Sequence, residues 1–161
     1  MKSPYLKDNR LPDVVGAIQV MGIYPWGGRK GDDWKKSLGD PSSAADWPTL
    51  FAEHPEFFRV TPAGWTSLRW RHAYFRTFDP QLGRELGPTE IASLTPPQKE
   101  ELTFRPLTSD QIEALMKTAI EFHTHAITHE QERRWLSPLL FSLLGAVLAF
   151  AGAILGAYIK S

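Results

Sequence analysis

The stretch Trp135–Ile159, WLSPLLFSLLGAVLAFAGAILGAYI, contains no charged residue. The 21 residues that follow Pro138 would form a helix about 31 Å long, which is close to the thickness of the hydrocarbon core of a bilayer. A buried helix of a soluble domain rarely exceeds about 20 residues without a polar face. We therefore predict a transmembrane anchor over residues 135–159.

The position of this segment predicts how the chain is inserted and oriented. Only Lys160 and Ser161 follow it, so we expect insertion after synthesis, as in a tail-anchored protein. The N-terminal residues MKSPYLKDNRLPD carry charges throughout and lack the apolar run of a signal peptide. Arg133 and Arg134 precede the anchor, whereas Lys160 alone follows it, which agrees with the positive-inside rule. We expect a single-pass membrane protein whose N-terminal part is cytoplasmic.

Small residues recur along the predicted anchor at alternating steps of four and three. They are Gly145, Ala149, Gly152 and Gly156. The last two have the GxxxG spacing that lets two helix backbones approach closely in lipid. Small residues are also common in membrane helices where they have no role, but repetition over three turns favours self-association. We predict a homo-oligomer, either a dimer or a larger ring.

Three short helices are predicted in the N-terminal part. Leu11–Ile23 places apolar side chains on one face at three- and four-residue spacing. A turn-rich segment follows, in which Gly27–Gly31 lacks the spacing of a phosphate-binding loop, so we expect its basic residues to be solvated. Trp34–Leu38 can form a second helix. Asp46 is the expected cap of a third, which runs to Glu53.

The pattern then changes from a helical to a strand period. Glu56–Val60 is a short strand, a turn follows, and Ser67–Phe78 alternates in the manner of a second strand. This order, with LFAEHPEFFRV followed by SLRWR, resembles a winged-helix domain, in which three helices precede a β-hairpin wing. The resemblance covers roughly residues 10–79. It implies a small α+β module over residues 1–79.

Two further segments separate this module from the anchor. Residues 80–107 contain five prolines and two glycines, which favours an extended, semi-rigid linker. Thr108–Gln111 matches a capping box, and it is followed by apolar side chains at steps of three and four. We predict a juxtamembrane amphipathic helix over residues 108–134. Its narrow stripe of Ile112, Leu115, Ala119, Phe122 and Ala126 suits a coiled-coil seam, and packing on its own domain is the alternative.

Arginine and aromatic residues alternate between Arg59 and Arg76, where the chain contains no acidic residue. Such a mixture suits phosphates and stacked bases, and it is also typical of protein interfaces. Part of the aromatic side chains must fill the core of the module. We predict a surface that binds a protein or a nucleic acid, formed by Arg59, Trp65, Arg69, Arg71 and Arg76.

Histidines near the predicted membrane helix form the only candidate metal site. Glu121, His125 and His129 are spaced four apart and share a helical face, as zinc ligands can. The segment lacks the HExxH order of metalloproteases and the chain has no cysteine, so a polar helix face explains these residues. We predict no metal, no cofactor and no catalytic residue.

Together, these features predict a non-enzymatic membrane-anchored binding and signalling protein. Its cytoplasmic module would recognise a partner, and that binding would alter the assembly of the membrane helices, as in a membrane effector. The alternative is a passive tether that holds a nucleic acid or a regulator at the membrane. A metal-dependent hydrolase that uses His125 and His129 is a minor alternative.

Overall fold

The computed structural model describes residues 3–132. The chain divides into two compact units, Met1–His123 and Thr124–Ser161. The fold is α+β, as predicted. No helix within residues 3–132 combines the length and the low polarity needed to cross a membrane. The predicted anchor at residues 135–159, with Gly145, Ala149, Gly152 and Gly156, lies outside the described residues.

Helix α1, Arg10–Ile23, lies where the apolar periodicity predicts it. Val14, Ile18 and Met21 are buried, and their three- and four-residue spacing forms the face that enters the core. A short 3₁₀ turn at Gly31–Trp34 leads into helix α2, Lys35–Leu38. These two elements replace the single second helix that the sequence predicts.

Helix α3, Trp47–Glu53, confirms the prediction of a third helix that is capped by Asp46. The Asp46 side chain accepts a hydrogen bond from the Thr49 backbone N–H over 2.8 Å. This contact satisfies one of the backbone donors that a helix start leaves without an intrahelical partner. Leu50 and Phe51 on this helix are fully buried.

A three-stranded antiparallel sheet completes the module. Its strands are β1 (Arg29–Lys30), β2 (Phe58–Val60) and β3 (Trp65–Leu68), and β3 lies in the middle. The turn between β2 and β3 contains Gly64 at a φ of 79°, a conformation that glycine adopts without steric cost. Strand β1 pairs with β3 although the two are far apart in sequence.

The predicted second strand, Ser67–Phe78, is wrong beyond Leu68. The backbone N–H of Arg69 donates to the Phe57 carbonyl over 2.8 Å and ends the pairing with β2. The chain then forms a 3₁₀ turn over Arg69–Ala73, in which Arg71 is buried. The alternation of side chains in this segment therefore comes from a tight turn and not from a strand.

Residues 80–107 are not the extended linker that their proline content favours. Strands β4 (Phe78–Asp79) and β5 (Arg84–Glu85) form a hairpin, and helices α4 (Pro88–Ser93) and α5 (Pro96–Glu101) follow. Three of the five prolines, Pro88, Pro96 and Pro97, lie in the first turns of these helices, where a backbone N–H has no intrahelical partner to lose. Leu86, Leu102 and Leu107 are buried. The boundaries expected after residues 79 and 107 both fall inside the unit Met1–His123.

Helix α6 is formed by residues 109–132. Its capping box is present, because the Thr108 N–H donates to Gln111 Oε1 over 3.1 Å and the Gln111 N–H donates to Thr108 Oγ1 over 3.4 Å. Ile112 and Ala119 are buried. The part of the stripe that precedes residue 124 therefore packs on its own domain, whereas Ala126 belongs to the second unit.

Candidate binding cleft

The outer face of the sheet carries polar and aromatic side chains that point away from the core. Along β3, Thr66 and Leu68 are buried, whereas Trp65 is 50% exposed and Ser67 is partly exposed. Arg59 on β2 pairs directly with Ser67. Because paired residues share a face and side chains alternate along a strand, Arg59, Ser67 and Trp65 lie on one surface.

This surface forms the floor of an open cleft of about 490 Å³. One wall is the loop of Trp26, Gly27 and Gly28. Another is formed by residues 100–104, which are the end of helix α5 and the segment that follows it. His72 and Arg76 complete the lining. All of these residues belong to the unit Met1–His123.

His72 forms hydrogen bonds with two other side chains of the cleft. Its Nδ1 lies 3.2 Å from Arg59 Nη1, and its Nε2 lies 2.7 Å from Ser67 Oγ. A guanidinium can only donate, so Nδ1 accepts from Arg59 and the proton of the neutral ring is on Nε2. His72 therefore donates to Ser67 Oγ, and the Ser67 hydroxyl proton is left to donate elsewhere.

The surroundings of His72 keep its ring neutral. Burial lowers the pKa of His72 from its usual value of 6.5, and the positive charges of Arg59, Arg71 and Arg69 lower it further. The ring also packs against Phe104, with a distance of 4.4 Å between the ring centroids. An imidazole with this tautomer orients Arg59 and Ser67, but it has no free Nε2 lone pair with which to activate the serine as a nucleophile.

Arg71 is not on the surface, contrary to the sequence-based prediction. Its side chain is buried, and it donates to backbone carbonyl oxygens that come from two segments of the unit. These acceptors are the carbonyls of Met21, Tyr24, Pro25, Trp26, Phe104 and Arg105. Among residues 3–132, Arg71 has no carboxylate partner within ion-pair distance. Burial lowers the pKa of Arg71 to about 10, so the side chain stays charged at neutral pH.

The contacts of Arg71 determine how the cleft is built. The Trp26 carbonyl accepts from Nη1 over 3.0 Å, and the Phe104 carbonyl accepts from Nη2. These two residues lie on different walls of the cleft. One planar guanidinium thus ties both walls together, and its donors have fixed relative directions. The cleft is therefore pre-organised by a side chain that does not line it.

The other predicted arginines lie in different places. Arg76 is part of the cleft lining, where its Nε and Nη2 donate to the carbonyls of Leu102 and Glu100 over 2.9 and 2.7 Å. Arg69 is exposed and donates to the Pro55 carbonyl over 2.8 Å, but it does not line the cleft. Of the five predicted binding residues, the structure thus brings Arg59, Trp65 and Arg76 together.

The loop before β1 supplies a wall that the sequence did not predict. A Cβ atom on Gly28 would lie 2.6 Å from the Thr66 carbonyl oxygen, so only glycine permits this approach to β3. Arg29 is not solvated as expected, because its guanidinium lies over the rings of Tyr24 and Trp34, 4.0 and 4.6 Å from their centroids.

The cleft residues that sequence reasoning missed include Trp26, Ser67 and Phe104. The signal for Trp26 was present: a tryptophan beside two glycines is typical of a loop that approaches another backbone closely. No comparable signal marked Phe104, because its place depends on the buried Arg71.

The charges of the cleft are mixed. The two cationic residues in its lining, Arg59 and Arg76, are accompanied by two acidic ones, Glu100 and Glu101. A surface that follows a nucleic acid backbone normally has a clear positive excess. The two tryptophans and two arginines of the lining are residue types that are enriched in protein interfaces.

Outside the cleft, the histidines of α6 do not form a ligand set in the described part of the chain. His125 and His129 are exposed. Within residues 3–132, no group of three or more His, Cys, Asp or Glu side chains is placed to hold a metal ion.

No known protein family, curated protein or solved structure matches this chain. Its function is therefore inferred from the residues and the geometry of the cleft.

Proposed function

We propose that this chain is a non-enzymatic, membrane-anchored binding and signalling protein whose N-terminal module takes up a protein partner in the cleft. The observation that carries the proposal is the exposure of Trp26 and Trp65, at 42% and 50%, beside the exposed guanidinium of Arg59. Tryptophan and arginine contribute a large share of the binding energy in protein interfaces. Two exposed indoles on a pre-organised cleft are costly in water unless a partner covers them.

The mixed charge of the cleft favours a protein over a nucleic acid. Glu100 and Glu101 would repel a phosphate backbone that followed the cleft, whereas a protein can place opposite charges beside both signs. The chain as a whole has a formal net charge of zero, so it has no long-range attraction for a polyanion.

The hydrogen bonding of His72 supports a binding role without catalysis. Ser67 is the nucleophile-type side chain closest to a histidine in the cleft, and it receives a proton from that histidine instead of losing one to it. A neutral imidazole that accepts from Arg59 and donates to Ser67 fixes the directions in which these two side chains can donate to a bound group.

The order of elements supports a winged-helix-like module. Strand β1 lies between α1 and α2, and β2 and β3 follow α3 as an antiparallel pair. In this proposal, the cleft lies on the outer face of the wing and its neighbouring strand. The third helix is only seven residues long and offers little surface for a DNA groove, which again favours a protein partner.

The membrane part of the proposal rests on residues 135–159. An uncharged segment of this length suits a bilayer span, and the small residues at Gly152 and Gly156 suit contact between copies. Partner binding by the cytoplasmic module would then change the assembly of the anchors. A passive tether would bind the same partner without that change.

The test compares proteins crosslinked to the full-length chain in isolated membranes. Trp26→Ala and Trp65→Ala remove the exposed indoles, and Trp70→Ala is the matched control because Trp70 is 36% exposed but does not line the cleft. We expect a crosslinked protein that is lost in both cleft variants and retained in the control. If the parent chain and all three variants are crosslinked to the same proteins, the proposal is contradicted. Anchor crosslinking that does not respond to the partner would identify a passive tether.

A further inference from the structure

Resting on the proposed function, we propose that the cleft recognises an extended peptide segment in which a carboxylate side chain and a large apolar side chain are two residues apart. The carboxylate binds Arg59 and Ser67, and the apolar side chain packs on Trp65. The partner motif is therefore acidic–any–apolar, read in either chain direction.

The carboxylate position follows from the unused donors on the sheet face. Within residues 3–132, the only hydrogen bond of the Arg59 side chain is the one from Nη1 to His72. Its Nε and Nη2 donors remain, and they match the two oxygens of a carboxylate. Ser67 adds a hydroxyl donor from the directly opposite position on β3, since its oxygen already accepts from His72.

The apolar position follows from the strand period. Trp65 lies two residues before Ser67 on the same face of β3, which places the two side chains roughly 7 Å apart. Alternate side chains of an extended peptide have the same separation. A peptide lying along β3 can thus place a carboxylate over Ser67 and Arg59 while its residue at i+2 covers the Trp65 indole.

The loop beside β3 supplies a second indole to the cleft. Trp26 lines the same cleft, and its backbone is held by Arg71. An aliphatic side chain over the Trp65 indole is buried inside this cleft, and such burial is worth roughly 25 cal/mol for each Å² of apolar surface. The single anionic position agrees with the two arginines of the cleft lining, because the Nε–Nη2 edge is available on Arg59, whereas on Arg76 both of these donors are occupied by backbone carbonyls.

The experiment uses the full chain in detergent micelles with fluorotryptophan incorporated, observed by fluorine NMR. The probe is an acetylated, amidated Gly-Glu-Ala-Leu-Gly peptide. Two control peptides have Gln in place of Glu, or have Glu and Leu adjacent. We expect the probe to shift the resonances of Trp26 and Trp65 but not those of the buried Trp34 and Trp47.

The expected loss of peptide affinity distinguishes a specific site from nonspecific binding. Replacing Glu by Gln in the probe, or Arg59 by Gln in the protein, should weaken binding about ten-fold, as the loss of a charge-assisted hydrogen bond does. Arg69→Gln is the matched control, because Arg69 is exposed but lies outside the cleft, and it should bind the probe as the parent does.

Three outcomes would overturn the inference. They are equal affinity for the Glu and Gln peptides, equal affinity for the adjacent-spacing peptide, and binding of an oligothymidylate at Trp65 in preference to the peptide. If the peptide does not bind while the crosslinked partner is still lost in Trp65→Ala, the cleft recognises a partner motif of a different kind, and the proposed function stands. If the cleft variants are crosslinked to the same proteins as the parent chain, the proposed function is wrong, whether or not the peptide binds.

Discussion

His123 donates a hydrogen bond from its Nδ1 to the backbone carbonyl of Tyr5, 2.9 Å away. The Tyr5 hydroxyl in turn donates to the Glu56 carboxylate, and the Tyr5 ring packs edge-on against His54 and Phe122 at centroid distances of 4.6 and 6.0 Å. Tyr5 lies in a 3₁₀ turn over Pro4–Leu6, and this turn therefore connects helix α6 to the segment that precedes β2. Tyr5 is the centre of that connection.

Tyr5→Ala should weaken the packing of the first part of α6. Removing a largely buried aromatic ring costs about 3 kcal/mol or more, and the ring contacts with His54 and Phe122 are lost together. Tyr5→Phe keeps the ring and should cost only about 1 kcal/mol. Hydrogen exchange of the amides in residues 112–123 is the measurement. Unchanged protection in Tyr5→Ala would show that α6 is held elsewhere.

Arg71→Lys should destabilise the unit by about 2–4 kcal/mol, because one ammonium group cannot reach the carbonyls on both segments and several acceptors would be left buried without a donor. Urea unfolding of the full chain in detergent measures the loss. Arg69→Lys is the control, since Arg69 is exposed and makes one backbone hydrogen bond, and it should change stability by less than about 0.5 kcal/mol. Similar costs for the two variants would contradict the role of Arg71.

Gly28→Ala and Gly16→Ala should have opposite effects. A Cβ atom on Gly28 would meet the Thr66 carbonyl oxygen at 2.6 Å, so backbone must move, at a cost of about 1–3 kcal/mol. Nothing lies within 4 Å of the equivalent atom on Gly16, which is in helix α1. Gly16→Ala should therefore stabilise the unit by about 0.5–1 kcal/mol. Thermal unfolding compares the two variants.

Stability should fall as the pH is lowered through the range in which His72 titrates. The pKa of His72 is lower in the folded chain than its usual 6.5, so the unfolded chain binds the proton more tightly. The contribution is complete above pH 6.5, declines as the pH falls below that value, and levels off below the folded pKa. His72→Asn should reduce the loss of unfolding free energy between about pH 7.5 and pH 5.5. An unchanged pH dependence would contradict this assignment.

The double variant Gly152→Leu/Gly156→Leu should remain in the membrane but lose its oligomer. Leucine favours the bilayer at least as well as glycine does, whereas two bulky side chains one turn apart keep helix backbones from approaching. Crosslinking in membranes measures the oligomer, and the membrane fraction of the same sample is the control for insertion. If the variant keeps the parent's oligomer, copies associate through another surface.

The elements that were predicted correctly from the sequence are those that depend on interactions between residues close together in the chain. The apolar face of α1 and the Asp46 cap of α3 involve residues within one or two turns of each other, so their pattern is visible in the chain. Strand β1 was missed because it has two residues and exists only through pairing with β3. Whether the winged-helix resemblance holds stays a prediction.

The candidate site was predicted in part, for a comparable reason. Arg59 and Trp65 lie in one hairpin, where alternation indicates a shared face. Arg71 follows the same alternation, yet its acceptors come from residues 21–26 and 104–105, which no local pattern relates to it. The wall that carries Phe104 could not be inferred without those contacts.

Because the hydrogen bonds of Arg71 within residues 3–132 all go to main-chain oxygens, they do not depend on the side chains that positions 26 and 104 carry. Trp26 and Phe104 could be exchanged for other residues while their carbonyls kept the same positions. The recognition chemistry of the module is thus separable from its architecture. Related chains could diverge in what they recognise by substitution at the walls alone, and a designer could redirect the module in the same way.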